Sequence, residues 1–207
     1  MKIAILLYEN MTALDAIGPY EVLSRLPGAR VQFAAERAGP VTTDTGFLRL
    51  QADYAISDIT EADILLVPGG PGDEAVRKSE KTLAWVRAIH EGTTYTTSVC
   101  TGSLILGAAG LLKGLRATTH WARLDALGDF GAEPTGERVV EQGKVITAAG
   151  VSSGIDMALR LAQKIAGDDF AQGLQLGIEY DPDPPFDAGS PEKAPKHIVD
   201  LVRAAMR

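Results

Sequence analysis

Cysteine is nearly absent from this chain. Cys100 is the single one among 207 residues, so no disulfide can form within the chain and a disulfide-framed secreted domain is excluded. Histidine is almost as scarce: His90, His120 and His197 lack ligand-like spacing, which argues against a structural zinc site. No run of Lys or Arg interrupts a net charge of −7, so nucleic acid is not an expected partner. Long apolar runs are missing too, since no stretch approaches the roughly 18 to 20 apolar residues that span a bilayer. The opening MKIAILLYEN has one lysine, a short apolar run ending at Tyr8, then charge and no small-residue cleavage site; it reads as a buried first strand, not a signal peptide. These absences together predict a cytoplasmic protein that needs no metal or other cofactor and no membrane.

What is present suits one α/β domain over 1–207, because 45% hydrophobic content in this length is enough for one sizeable core. Lys2 to Tyr8 is a continuous apolar strand, as in a parallel sheet covered on both faces. Pro19 lacks an N–H and belongs in a first turn, with Gly18 before it as a possible cap, so a helix is predicted from Pro19 to about Leu26. Asp15 then falls in the preceding loop with its carboxylate free for another task. Strands are predicted at Val31 to Ala35 and Ala62 to Val67, with an antiparallel excursion over 38–57 between them. The second of these strands stops at PGGPGD (68–73), a loop whose bare backbone can approach a ligand closely but lacks the ending of a phosphate loop.

An amphipathic helix is predicted over 79–91, with His90 near its C-terminus as a surface residue complementing the dipole. RATTHW (116–121) reads as a strand and turn before a short helix around Ala122 to Leu127, and RVVEQGKVITAA (138–149) as a hairpin turning near Gln142 and Gly143. Ile155, Ala158, Leu159, Ala162, Ile165 and Ala166 mark one face of a strong helix. The stretch 181–195 holds five prolines and cannot be regular structure; it is either a flexible tail or a contact with another subunit, and the second reading is preferred. A closing helix, Lys196 to Met206, has Ile198, Leu201, Val202 and Ala205 to bury. Strands alternating with helices predict an open, mostly parallel sheet with helices on both faces, where ligands bind beyond the carboxyl ends of strands.

Residues 95–112, YTTSVCTGSLILGAAGLL, put the lone cysteine between a β-prone run and a helix-prone one. A thiol at such a turn lies near the unpaired N–H groups of the helix, an arrangement that lowers cysteine pKa and suits a nucleophile. A free cysteine among small residues is equally often a compact buried hydrophobe, and this stretch alone leaves both readings open.

VPGG (67–70), SVCTG (98–102), LDAIGPYEVL (14–23), ATTHW (117–121) and AAGVSSGID (148–156) resemble, in order and over nearly the whole chain, the DJ/PfpI superfamily. The resemblance implies a flavodoxin-like open sandwich of the class I glutamine amidotransferase-like type. Within it, the Asp of LDAIGPYEVL, the Thr after Cys and the arm EYDPDPPFDAGSP look most like the isonitrile (isocyanide) hydratases, enzymes with a small-molecule substrate. That likeness implies Cys100 as nucleophile, Asp15 as its acidic partner and Thr101 beside it. Main-chain N–H groups near Gly70, Thr101 and Val151, with Gly150 adjoining, would then shape an anion-stabilising pocket. Members with peptidase-like activity have His after Cys where this chain has Thr101, and deglycase and glyoxalase-like members usually carry Glu in place of Asp15. His120 falls where other branches carry a pocket histidine, and could equally be structural beside Trp121. The superfamily and the arm at 181–195 suggest a homodimer. Three other readings stay open: another DJ/PfpI activity, glyoxalase/deglycase-like or amidase; the sensing half of an AraC-type regulator, disfavoured because only 40 residues follow position 167; and a redox-sensing or protective protein oxidised at Cys100.

Overall fold

A computed structural model describes residues 1–206. Strand β1 (Lys2–Leu6) leads to helix α1 (Ala13–Leu23) and then β2 (Arg30–Ala35). The excursion is the antiparallel pair β3 (Gly39–Thr42) and β4 (Arg49–Ala52), followed by the two-residue edge strand β5 (Tyr54–Ala55). Next come β6 (Ile64–Val67), the short α2 (Asp73–Arg77) and α3 (Glu80–Gly92), then β7 (Tyr95–Val99) and α4 (Gly102–Ala108). Short β8 (Arg116–Ala117) and β9 (Glu133–Pro134) pair across a 3-10 segment at Trp121–Phe130. The hairpin β10 (Val139–Gln142) and β11 (Val145–Ala148) precedes α5 (Ser153–Ala166), α6 (Asp168–Gly177) and α7 (Lys196–Ala205).

The main sheet has the order β10-β11-β7-β6-β1-β2-β5, parallel except for the β10–β11 hairpin. Central strands β1 and β6 are apolar and buried on both faces, which is why they read as unbroken hydrophobic runs. The sheet extends one way from β1 to β2 and the other way from β1 through β6 and β7. Right-handed crossovers therefore put α1 on one face and α3 and α4 on the other. Helix α5 joins α1, with which it shares its most extensive helix contact, and α6 packs on α5. The architecture is an α/β flavodoxin-like sandwich, and the loops at the carboxyl ends of β1, β6, β7 and β11 face one region.

Several sequence expectations need correction. Helix α1 starts at Ala13, not Pro19, and carries Pro19 in its interior with Asp15 in its first turn. Proline removes only one hydrogen bond, to the Asp15 carbonyl, and the close crossing with α5 compensates. A Cβ on Gly18 would lie 3.1 Å from Ile155 Cγ1, and one on Gly154 would lie 3.0 Å from Pro19 Cγ. RATTHW is a strand only at Arg116 and Ala117. His90 is half-buried, with Nδ1 2.8 Å from Thr96 Oγ1, and burial with nearby Lys144 pulls its pKa down, so it is not the surface cation expected. Helix α6 was not foreseen. The residues of α7 expected to be buried are not: Leu201 is 67% exposed, and Ile198 and Val202 keep more than a third of their surface in solvent. Residues 181–195 contain no helix or strand, as five prolines require.

Candidate active site

Strand β7 ends at Val99, and the chain reverses sharply at Cys100 before α4 begins. Cys100 has φ 56°, a left-handed conformation that costs a residue with a side chain about 1–3 kcal/mol and persists only where the surroundings impose it. Here they do. Its N–H donates to the carbonyls of Ala148 (3.1 Å) and Ala149 (2.8 Å), and its carbonyl accepts from Thr119 Oγ1 (2.9 Å) and Ser103 Oγ (3.2 Å). The backbone between β7, β11 and the ATTHW segment leaves the thiol one direction in which to point.

The PGG loop after β6 locks onto this turn. Gly70 N–H donates to Thr101 Oγ1 at 2.9 Å, and that hydroxyl in turn reaches Gly70 O at 3.3 Å. Glycine is needed here for space: a Cβ on Gly69 would sit 2.4 Å from Thr101 N, and one on Gly102 would sit 2.1 Å from Val67 O. The expectation that Gly70 offers a free N–H to an anion is therefore corrected, because the Thr101 side chain already takes it. Gly69, in the same loop, donates its N–H to Asp15 Oδ2 at 2.9 Å.

Asp15 is wholly buried and Cys100 is 4% exposed. The carboxyl and the thiol are near enough to shift each other's pKa, while Oδ1 has no hydrogen-bond partner. Burial lifts Asp15 from an ordinary 3.8 to about 7, against the lowering pull of the Gly69 N–H and the thiol. Burial, and next the Asp15 charge, also push Cys100 well above the ordinary thiol range, although the N–H groups of Thr101 and Val151 pull it down. The helix N-terminus thus does not yield a standing thiolate, as its position alone had suggested; desolvation outweighs it. Two acids in a dry pocket cannot both ionise, so the pair titrates as one unit.

The remaining expected residues surround this pair. Val151, at φ 22°, turns its N–H toward the Cys100 sulfur. Gly150 makes room for His120, whose Cδ2 would be 2.8 Å from a Cβ there. His120 Nδ1 accepts from Ala122 N–H at 3.2 Å, its ring packs against Trp121, and burial lowers its pKa. These contacts give His120 a structural use as a neutral cap. Beyond Thr119, Gly150 and Val151 opens a cavity of about 590 Å³, walled by Trp121, Leu124, Arg138 and residues 189–192 of the proline-rich arm. Thr119 was quoted in a motif without being given a role, and the arm was expected at a subunit contact, not at this cavity. The hydrogen bonds of Thr119 to Cys100 and of Gly69 to Asp15 join residues far apart in the chain and leave no local sequence signal. Among the described residues no group of three His, Cys, Asp or Glu could hold a metal ion, and no helix is long and apolar enough to cross a membrane.

The family model described as DJ-1/PfpI matches residues 1–164 of this chain. The chain belongs to the DJ-1/PfpI family. It is 47% identical over 203 residues to an isonitrile hydratase of Pseudomonas putida, covering 98% of this chain and 89% of that one. A deglycase of Thermococcus kodakarensis is 31% identical over 150 residues, 72% of this chain and 89% of its own. Among solved structures, a ThiJ/PfpI family protein from Pseudomonas syringae superposes with a TM-score of 0.95 at 42% identity, covering 99% of this chain and 85% of that one.

Proposed function

We propose that this DJ-1/PfpI protein is an isonitrile hydratase-like enzyme, adding water to an isocyanide R–N≡C to give the N-formamide R–NH–CHO. The observation that carries the reading is the buried Cys100–Asp15 pair, with a thiol and a carboxyl raised to about 7 facing each other at the end of β7. The likeness to the P. putida isonitrile hydratase along nearly the whole chain supports it.

Asp15 takes the thiol proton and passes it to the isocyanide carbon as sulfur bonds to that carbon, giving the thioimidate R–N=CH–S–Cys100. The transient sulfur charge is held by the N–H groups of Thr101 and Val151. Water then adds to the same carbon, losing a proton to Asp15 while the nitrogen gains one. Collapse of R–NH–CH(OH)–S–Cys100 expels the sulfur, which recovers its proton, and releases the formamide. No net charge change is needed, which suits a dry site. A carboxyl poised near 7 can act as both acid and base, a contribution of about 10²- to 10⁴-fold in rate. Thr101 holds the turn through Gly70.

Incubation with a panel of alkyl and aryl isocyanides, followed by mass-spectrometric identification of the N-formamide, tests the reaction. Formamide above the buffer background supports it, and none on any member overturns it.

The protein is proposed to act in the cytoplasm, where its lone thiol stays reduced, and as a homodimer. Leu176, Phe186 and Leu201, all in the C-terminal segment, are 78%, 77% and 67% exposed, an apolar set that a second copy would cover. Light scattering should give twice the chain mass for the wild type and a lower mass for Leu201→Glu. A monomeric wild type would contradict the dimer.

A further inference from the structure

The cavity lined by Thr119 and Val151, the two neighbours that link it to the buried Cys100, is closed by a part of the chain that lies outside the family match. That match ends at residue 164, whereas the likeness to the P. putida isonitrile hydratase continues through 98% of the chain and so takes in the proline-rich arm and α7. The inner wall is common DJ-1/PfpI structure: Thr119 and Val151 touch Cys100 through its carbonyl and its sulfur. The outer wall is Gly189 to Glu192 and Arg203. One contact fastens α7 to the inner wall, for the Arg203 guanidinium carbon sits 5.5 Å from the centre of the Trp121 ring. The same indole lies against His120, which in turn packs on Gly150, so a continuous stack runs from α7 to the turn that holds the sulfur's donor.

We propose that the arm and α7 form the selective wall of the substrate pocket, with Trp121 and Arg203 as specificity-determining residues for a bulky, uncharged R group. This rests on the isocyanide reading above. Trp121, Leu124 and Val151 offer an apolar lining. The charges nearby are already engaged or opposed. Arg138 pairs with Asp156 and reaches Ser152 Oγ at 3.2 Å, Arg203 lies over the indole, and Asp125 and Glu192 would repel an anionic R group. A volume of about 590 Å³ falls within the roughly 300–1,000 Å³ of small-molecule sites and far exceeds the needs of a short alkyl chain. Trp121 and Arg203 both line the cavity, so a ring-bearing R group would pack against an indole that Arg203 holds in place.

The test compares kcat/KM for cyclohexyl and ethyl isocyanide in the wild type, Arg203→Ala and Arg203→Lys. Loss of the stack should lower the cyclohexyl-to-ethyl ratio by about two- to tenfold in Arg203→Ala, the range a cation–π contact can supply, with Arg203→Lys between it and wild type. A parallel fall for both substrates, leaving the ratio unchanged, overturns the proposal, as does no change at all. Binding separates this from failure of the reaction itself. In a Trp85→Phe background the emission comes from Trp121 alone, and N-cyclohexylformamide should quench it, more weakly after Arg203→Ala. Such quenching without turnover would sustain the pocket while refuting the hydratase reading; absence of quenching would refute the pocket.

Discussion

Replacing Asp15 by Asn should change how stability depends on pH, in a direction opposite to that of a surface carboxylate. The wild-type carboxyl moves from an ordinary 3.8 in the unfolded chain to about 7 in the folded one, chiefly through burial. A raised carboxyl pKa means that the folded state binds the proton more tightly. The stabilisation is complete below about 3.8 and is lost as pH rises through about 7. At about 1.4 kcal/mol per pH unit, the loss reaches up to about 4 kcal/mol above pH 7. Asparagine keeps the acceptor for Gly69 N–H, at 2.9 Å in the wild type, and does not titrate. Urea unfolding of both proteins at fixed concentration from pH 4.5 to 8.5 should therefore show Asp15→Asn gaining on the wild type by about 3 kcal/mol as pH rises. The fold would be kept while turnover is lost. A stability gap that stays constant with pH, or that turns toward the wild type at high pH, would refute the burial argument.

Gly102→Ala should lower Tm by roughly 10 °C, since its Cβ would sit 2.1 Å from a main-chain carbonyl that cannot rotate away, and overpacking of this kind costs about 3 kcal/mol; an unchanged melting curve would contradict the tight crossing. Between two inactive variants, Cys100→Gly should melt above Cys100→Ala by about 1 kcal/mol, because φ 56° suits glycine and not alanine. Calorimetry decides, and the reverse order would mean that the turn is not strained.

What could be read along the chain was whatever depended on neighbours in sequence. Ile64 to Val67 is buried on both faces and shows it as an unbroken apolar run, and the period of Ile155 to Ala166 marks a helix without help from elsewhere. The strand-turn-helix around Cys100 was legible for the same reason. Where the reading failed, distant atoms had intervened. Pro19 obeys a local rule that would start the helix there, yet Gly154 packs on its ring, and the helix begins at Ala13. Helix α6 had a signal of its own, since Gly167 breaks α5 and Asp168 and Asp169 suit a helix start, but the break at 167 masked it. Gly70 was credited with a free N–H because nothing in sequence says that Thr101 will claim it. The pull of the helix terminus on the thiol could be read from its position, whereas desolvation, the larger influence, depends on the whole surrounding core. The apolar face of α7 was visible, and its exposure was not.

The pair itself is tested most directly by kcat/KM for cyclohexyl isocyanide, measured side by side in wild type, Cys100→Ala and Asp15→Asn, with circular dichroism to verify folding. The account predicts no cysteine-dependent turnover in Cys100→Ala and a loss of about 10²-fold or more in Asp15→Asn. Wild-type rates in a folded Cys100→Ala protein would contradict it outright.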